Sequence, residues 1–180
     1  THPVLGYKKF TANDDNYLML GNDDRVSANL SLKAANGMGI RIYSNDENEE
    51  ALQDLTVSMS QFNLDKVFSV IPYMPDISGI LDGDFHIIQT KDELSVSSNL
   101  NIDNMVYEKC PMGDVGTEFV YMPKSDGSHY VDGFLNYEGE EVATVKGTYK
   151  SEGNGYLDAE VGMEKLPLHF VNGFVPDQIM

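Results

Sequence analysis

Apolar and polar residues alternate along most of this chain, and that period of two argues for strands over helices before anything else is considered. Val26, Ala28, Leu30 and Leu32 share one side of a first stretch, while Arg25, Ser27, Asn29 and Ser31 take the other. The pattern returns at Ile40 and Ile42, at Leu55, Val57 and Met59, and at Leu94, Val96, Leu100 and Ile102. It continues at Val131, Leu135 and Tyr137, at Ala143, Val145 and Tyr149, and at Leu157, Ala159, Val161 and Met163. Strands of this kind have one apolar and one wettable face, as in antiparallel sheet. Turn-forming clusters separate them at Gly21-Asn22-Asp23-Asp24, Asn36-Gly37, Asp126-Gly127, Glu138-Gly139 and Glu152-Gly153-Asn154-Gly155. The expected architecture is an all-β, elongated antiparallel meander of hairpins.

A second regularity runs on a longer scale. Val57, Met59, Phe62, Leu64 and Val67 match Val161, Met163, Leu166, Leu168 and Val171 at a constant offset of 104. Tyr73-Met74-Pro75-Asp76 then matches Phe174-Val175-Pro176-Asp177 at an offset of 101. A degenerate unit of about a hundred residues predicts a piece of a repetitive, elongated protein, of the kind that works as a surface or conduit. The expected organisation is the end of a preceding β repeat over 1–61, one complete repeat over 62–164 and the start of the next over 165–180. These parts are free to pack as one continuous domain.

Two short exceptions to the alternation fall in the repeated segments. Leu64, Val67, Phe68 and Ile71 lie at helical spacing after Asn63, a suitable N-cap, and before Pro72, which stops a helix. This predicts a helix from about Leu64 to Ile71 that covers one end of the apolar face through Val67 and Phe68. In the second copy Pro167 suits a first helical position, Leu168 and Val171 supply an apolar stripe, and Gly173 suits the stop. After the first helix, Gly79 and Gly83 punctuate an apolar strand and mark a bend or bulge.

Composition narrows the function classes. An apolar share of 41% over 180 residues is enough for a core. With 29 acidic against 12 basic residues the net charge is −17, which opposes a phosphate backbone, so nucleic acid is not expected as a partner. The single cysteine, Cys110, permits no intrachain disulfide and leaves the redox compartment unread. No stretch approaches the roughly 18 apolar residues of a membrane span, and no basic segment followed by an apolar one opens the chain.

Catalytic signatures are missing. There is no Gly-Lys-Ser/Thr phosphate loop, nucleophile elbow, His-Glu-x-x-His helix or paired Cys-x-x-Cys. His86 shares its strand side with Asp82, Asp84 and Ile88 and reads as a surface histidine, because metal sites need several converging ligands. Cys110, before Pro111 in a turn-like stretch with no basic neighbour, reads as a structural thiol. The acidic clusters Asn22-Asp23-Asp24, Asp46-Glu47-Asn48-Glu49-Glu50 and Asp82-Gly83-Asp84 carry oxygens that calcium accepts, but none matches a calcium loop, and solvated turns account for them. Asp82 and Asp84, neighbours on one strand face, do not make the carboxylate pair of a glycosidase. No catalytic residue, cofactor or metal is expected.

The succession from Phe62 to Phe85, FNLDKVFSVIPYMPDISGILDGDF, followed by SVSSNLNIDNMVYEKCPMGDVGTEFVY, resembles the TamB (translocation and assembly module) branch of the AsmA-like envelope proteins. The shared features are a short helix, a Pro-Asp-Ile-x-Gly-x-Leu-x-Gly opening to a strand, and a strand that ends at Tyr107 before a turn containing Gly113. Gly133-Phe134-Leu135, Gly147-Thr148-Tyr149 and LPLHFVNGF fit the same rhythm, so the resemblance covers residues 62–180. It implies a periplasmic protein of the cell envelope, anchored in the inner membrane, that extends towards an Omp85-type outer-membrane barrel. It also implies a sheet curled into a taco-like open groove whose apolar interior carries phospholipid acyl chains and supports outer-membrane protein assembly. The anchor and the barrel-docking part are not recognisable in these 180 residues.

On that reading the lining of the groove is Leu94, Val96, Leu100, Ile102, Val131, Leu135, Val145, Leu157 and Val161. The residues alone leave two ways to cover the apolar face, since a sheet can fold onto a second sheet as a closed β-sandwich or curl around a ligand. They also leave a second functional class, an extracellular carbohydrate-binding or adhesive β-module. That class needs aromatics on an exposed face, whereas Tyr137 and Tyr149 fall on the apolar side.

Overall fold

The structure, a computed structural model, describes residues 3–5, 8–22, 24–68, 73, 75–151, 155–168 and 170, without the side chains of Val67 and Phe68. Among them are twelve strands and one helix: β1 (Val4–Leu5), β2 (Lys8–Ala12), β3 (Tyr17–Leu20), β4 (Val26–Ala34), β5 (Gly39–Ser44), β6 (Gln53–Asn63), α1 (Leu64–Phe68), β7 (Ile77–Gln89), β8 (Leu94–Tyr107), β9 (Cys110–Pro123), β10 (Ser128–Tyr137), β11 (Glu140–Lys150) and β12 (Tyr156–Met163). All belong to one antiparallel sheet, in chain order from β4 to β12. On the far side of β4 two short strands share its length, β2 against Leu32–Ala34 and β3 against Val26–Asn29. The sheet is open, with no second layer of strands among the described residues, so a closed sandwich is not what forms.

Strands β8 to β11 form long hairpins, and two of their connections are two-residue turns. Glu138 and Gly139 both take positive φ (50° and 80°), the geometry of the two-residue turn whose twist matches its flanking strands. Glu108 and Lys109 make the same turn at φ of 47° and 66°, although neither residue favours it. The stretch after Tyr107 is therefore strand β9 and not a loop: Cys110 pairs with Tyr107, and Cys110 packs beside the buried Met112.

Bulges punctuate the ladders. At Gln61 the chain turns left-handed (φ 52°), and its N–H donates to Asp82 Oδ1 (2.9 Å) while its side-chain amide donates to Asp82 Oδ2 (3.2 Å). At Asn104 (φ 50°) the N–H donates to Asp114 Oδ1 (2.8 Å) in the same way. In each case a carboxylate from the following strand satisfies the donor that the bulge removes from the ladder. Asp82 is thus a structural acceptor. Gly83, at φ 153°, admits a close strand approach: a Cβ there would lie 2.2 Å from the carbonyl oxygen of Asn99.

The described part of the helix runs from Leu64 to Phe68, inside the 64–71 expected, and residues 69–72 lie outside the described set. Asn63 caps it as the sequence predicts, its Oδ1 accepting from the Lys66 N–H (3.4 Å). Leu64 carries the cover, 3% exposed in a cluster with Phe10, Met38, Phe62 and Leu81, whereas Val67 and Phe68 have no described side chains. A second cluster forms around Met112, Val115 and Phe170, with Leu166 and Tyr137 packed against it. There Leu168 does not supply the apolar stripe. It is 85% exposed, because the Phe170 N–H closes a turn onto the Pro167 carbonyl (3.0 Å) and brings Phe170 to the sheet instead. Val171 and Gly173 lie outside the described residues.

Candidate functional site

Cross-strand partners share a face of a sheet, so the pairing register assigns every residue a side. One row reads Leu30, Ile42, Val57, Phe85, Ser98, Phe119, Gly133, Val145 and Val161. The next reads Leu32, Ile40, Met59, Gly83, Leu100, Thr117, Leu135, Ala143 and Met163. All nine residues read as a groove lining fall on this apolar face: Leu94 and Val96 lie further along β8, Ile102 beside Leu100, Val131 in the row next to Val145, and Leu157 one row beyond that.

The face is not uniformly open. Leu100 and Ile102 pack against the cluster under α1, and Leu135 packs against the one under Phe170. Leu94, Val96 and Val131 are half-buried. Towards β12 the cover ends, leaving Val145 41%, Val161 56% and Leu157 73% exposed. Over β9 to β12 lies a depression of 530 Å³, floored by Val131, Val145, Leu157 and Ala159 and walled by Tyr121, His129 and Tyr149. Tyr121 Oη lies 2.7 Å from His129 Nδ1, and the three rings form a ladder with centroids 5.9 and 6.3 Å apart. This aromatic wall was not legible in the sequence as a site. Tyr149 carries a signal in its alternation with Ala143 and Val145, but for Tyr121 the alternation of Val115, Thr117, Phe119 and Tyr121 is obscured by Val120 and Met122 on the other face.

One polar atom is embedded in the apolar face. Ser98 Oγ is buried without a hydrogen-bond partner in the row between Phe85 and Phe119, whose rings meet edge to face at 6.4 Å.

The opposite face carries the charge. His86 and Asp84 stand on it as expected, but His86 is not alone: its Nε2 lies 2.8 Å from Oδ1 of the buried Asp54. Asn48 and Asn45 donate to Asp54 Oδ2 at 2.9 and 3.3 Å, which ties the β5–β6 loop to β6. The Asn48 hydrogen bond, and then that of His86, hold the Asp54 carboxyl below its ordinary range. Asp46, of the same acidic run, accepts from the Ser27 hydroxyl (3.1 Å). Further along, Asp132 accepts from Tyr130 Oη (2.8 Å) and lies 3.4 Å from Lys146 Nζ. The Tyr130 hydrogen bond lowers the Asp132 pKa, and Asp132 in turn raises that of Lys146. A depression of 590 Å³ opens here, with Tyr130, Phe134 and Met122 beside Asp84, Asn99 and Glu118. Among the described residues no group of three metal-ligating side chains converges, and no helix is long and apolar enough to cross a membrane.

No family model matches the chain. No curated protein and no solved structure matches it either.

Proposed function

We propose that this chain is a segment of a bridge-like protein of the cell envelope, and that its apolar sheet face shields phospholipid acyl chains in transit between inner and outer membranes. The observation that carries the reading is the gradient of cover, with Val145, Val161 and Leu157 left exposed at the end of an otherwise continuous apolar face. A hydrocarbon chain in water forfeits about 0.8 kcal/mol per exposed methylene, so a continuous apolar rail lowers the barrier to its movement without any catalytic residue. On this reading the protein is not an enzyme, resides in the periplasm with its anchor in the inner membrane, and meets an Omp85-type barrel through other parts of a longer parent. Support for outer-membrane protein assembly follows from that same position. The resemblance of residues 62–180 to TamB and AsmA-like proteins supports this placement.

Photo-crosslinking tests it with its own internal control, because neighbours on a strand point to opposite faces. Probes at Val145 and Val161, mixed with phospholipid vesicles, are expected to capture lipid, and probes at Lys146 and Glu160 are not. Equal capture from both sets overturns the conduit.

A second reading, a carbohydrate-binding or adhesive β-module, is favoured by the depression on the polar face, where Tyr130 and Phe134 stand beside Asn99 and Glu118. Saturable glycan binding lost in Phe134→Ala, with no lipid captured at Val145, would replace the first reading with this one.

A further inference from the structure

The sequence repeat is also a repeat of backbone geometry. In the first copy β5 pairs β6 with Ile42 opposite Val57 and Ile40 opposite Met59, and in the second β11 pairs β12 with Val145 opposite Val161 and Ala143 opposite Met163. The left-handed residue recurs at the same offset of 104, Gln61 at φ 52° and Lys165 at φ 56°. The cluster-forming segment then follows in both, through Leu64 in one and through Leu166 and Phe170 in the other. One component has no counterpart. The far edge of β6 is filled by β7, which delivers Gly83 opposite Met59 and the Asp82 carboxylate to the bulge. Among the described residues nothing pairs the far edge of β12, and no carboxylate from a following strand faces Lys165.

We infer that the free edge of β12 is an interface for an extended polypeptide segment patterned like β7, joined in the register of β6 with β7. That register fixes its chemistry. A glycine sits opposite Met163, preceded by a carboxylate that accepts the Lys165 N–H, as Asp82 precedes Gly83. Apolar residues lie opposite Val161 and Ala159, in the places of Phe85 and Ile87. The polar face differs. Where β6 presents Thr56 to His86 and Asp54 to Ile88, β12 presents Glu160 and Asp158, both exposed, with Lys146 across from Glu160 on the inner side. The incoming strand therefore carries basic residues at those two places. Left-handed φ at a non-glycine residue is uncommon, and it recurs at Lys165, two residues past the end of β12, at the position that matches the bulge of β6. An edge of this kind is a template for strand addition, with main-chain hydrogen bonds giving affinity and alternate side chains giving specificity.

The inference does not depend on lipid carriage, and its test contains no lipid. A fluorescent peptide of residues 75–89 bearing His86→Lys and Ile88→Lys is titrated with the whole chain, read by anisotropy and by amide hydrogen exchange. Expected are saturable binding, slowed exchange across Tyr156–Met163 and unchanged exchange across β3, an edge at the opposite end of the sheet. Replacing Asp82 by Ala or Gly83 by Val in the peptide should weaken binding about tenfold or more, equivalent to about 1.4 kcal/mol. The peptide without the two lysines should bind less tightly, and less dependently on salt, because Asp158 and Glu160 then have no partners. Absence of saturable binding, equal binding of a scrambled peptide, or protection at β3 overturns the inference. So does protection of β12 that rises with protein concentration alone, which would make a second copy the occupant.

Discussion

The two copies of the repeated segment differ less in sequence than in surroundings. β6 and β12 share their apolar rhythm, their inner pairing register and a left-handed residue at Gln61 and Lys165. Yet β6 has a strand on either side and Leu64 buried above it, whereas β12 has, among the described residues, one neighbour and exposed side chains along nearly all its length. Even the covering residue shifts, since Leu64 is buried and its sequence match Leu168 is not, Phe170 taking that role. A conserved pattern thus fixes which side of a strand is apolar, while burial depends on what lies across it.

Variants at matched positions break or sharpen that contrast. The largest effects are expected at the covers: Phe170→Ala should cost about 3–5 kcal/mol and Leu64→Ala about 2–5 kcal/mol, both being nearly fully buried. Leu168→Ala should stay within about 0.5 kcal/mol. Urea midpoints check this, and a Leu168 cost equal to that of Leu64 would restore the simple sequence equivalence. Next come charges at equivalent strand positions. Val57→Asp should destabilise by about 3 kcal/mol, because its carboxylate is placed in a half-buried apolar row between Ile42 and Phe85. Val161→Asp, on the open edge, should cost under about 1 kcal/mol. Similar melting shifts for the two would show that β12 is covered in solution.

Among the described residues the Asp54 network has no counterpart around the second copy, and its signature is a pH dependence. Because the folded carboxyl is held below its unfolded value, mainly by Asn48, that stabilisation is fully present above the unfolded pKa of about 3.9. It is lost as pH falls through the folded value. Asn48→Ala should therefore cost about 1–2 kcal/mol at neutral pH, and the gap to the parent should close below about pH 4. A gap that persists in acid would assign the loss to packing of the loop. The smallest effect is expected at Ser98, whose buried hydroxyl has no partner. Ser98→Ala should be neutral or stabilise by about 1 kcal/mol in thermal melts, and a clear loss would reveal an acceptor for that hydroxyl.

Much of the sheet was legible because alternation is written residue by residue. Strands β4, β5, β6, β8, β10, β11 and β12 all carry it, and the apolar side assigned to each is the side on which the structure places it. What escaped has identifiable causes. Val120 and Met122 put apolar groups on the charged face of β9, and Glu108-Lys109 makes a tight turn without the glycine or asparagine that announces one. Strands β1 to β3 span only two to five residues each, too few for a period to show. The Asp54 network unites Asn45, Asn48 and His86 from separate segments, and no spacing along the chain predicts such a meeting.

The sequence by itself determined that this is an antiparallel sheet with one apolar face, which residues lie on that face, and where the pattern repeats. These are local properties, since the pleat sends successive side chains to opposite sides whatever surrounds the strand. Tertiary structure decided how much of the face is covered, that Phe170 and not Leu168 does the covering at the second cluster, and that Asp82 serves a bulge. Each of those outcomes rests on contacts between residues distant in the chain. Burial and hydrogen-bond partners are set by neighbouring strands and turns, so two stretches that share an apolar rhythm end, among the described residues, one inside the sheet and the other at its edge.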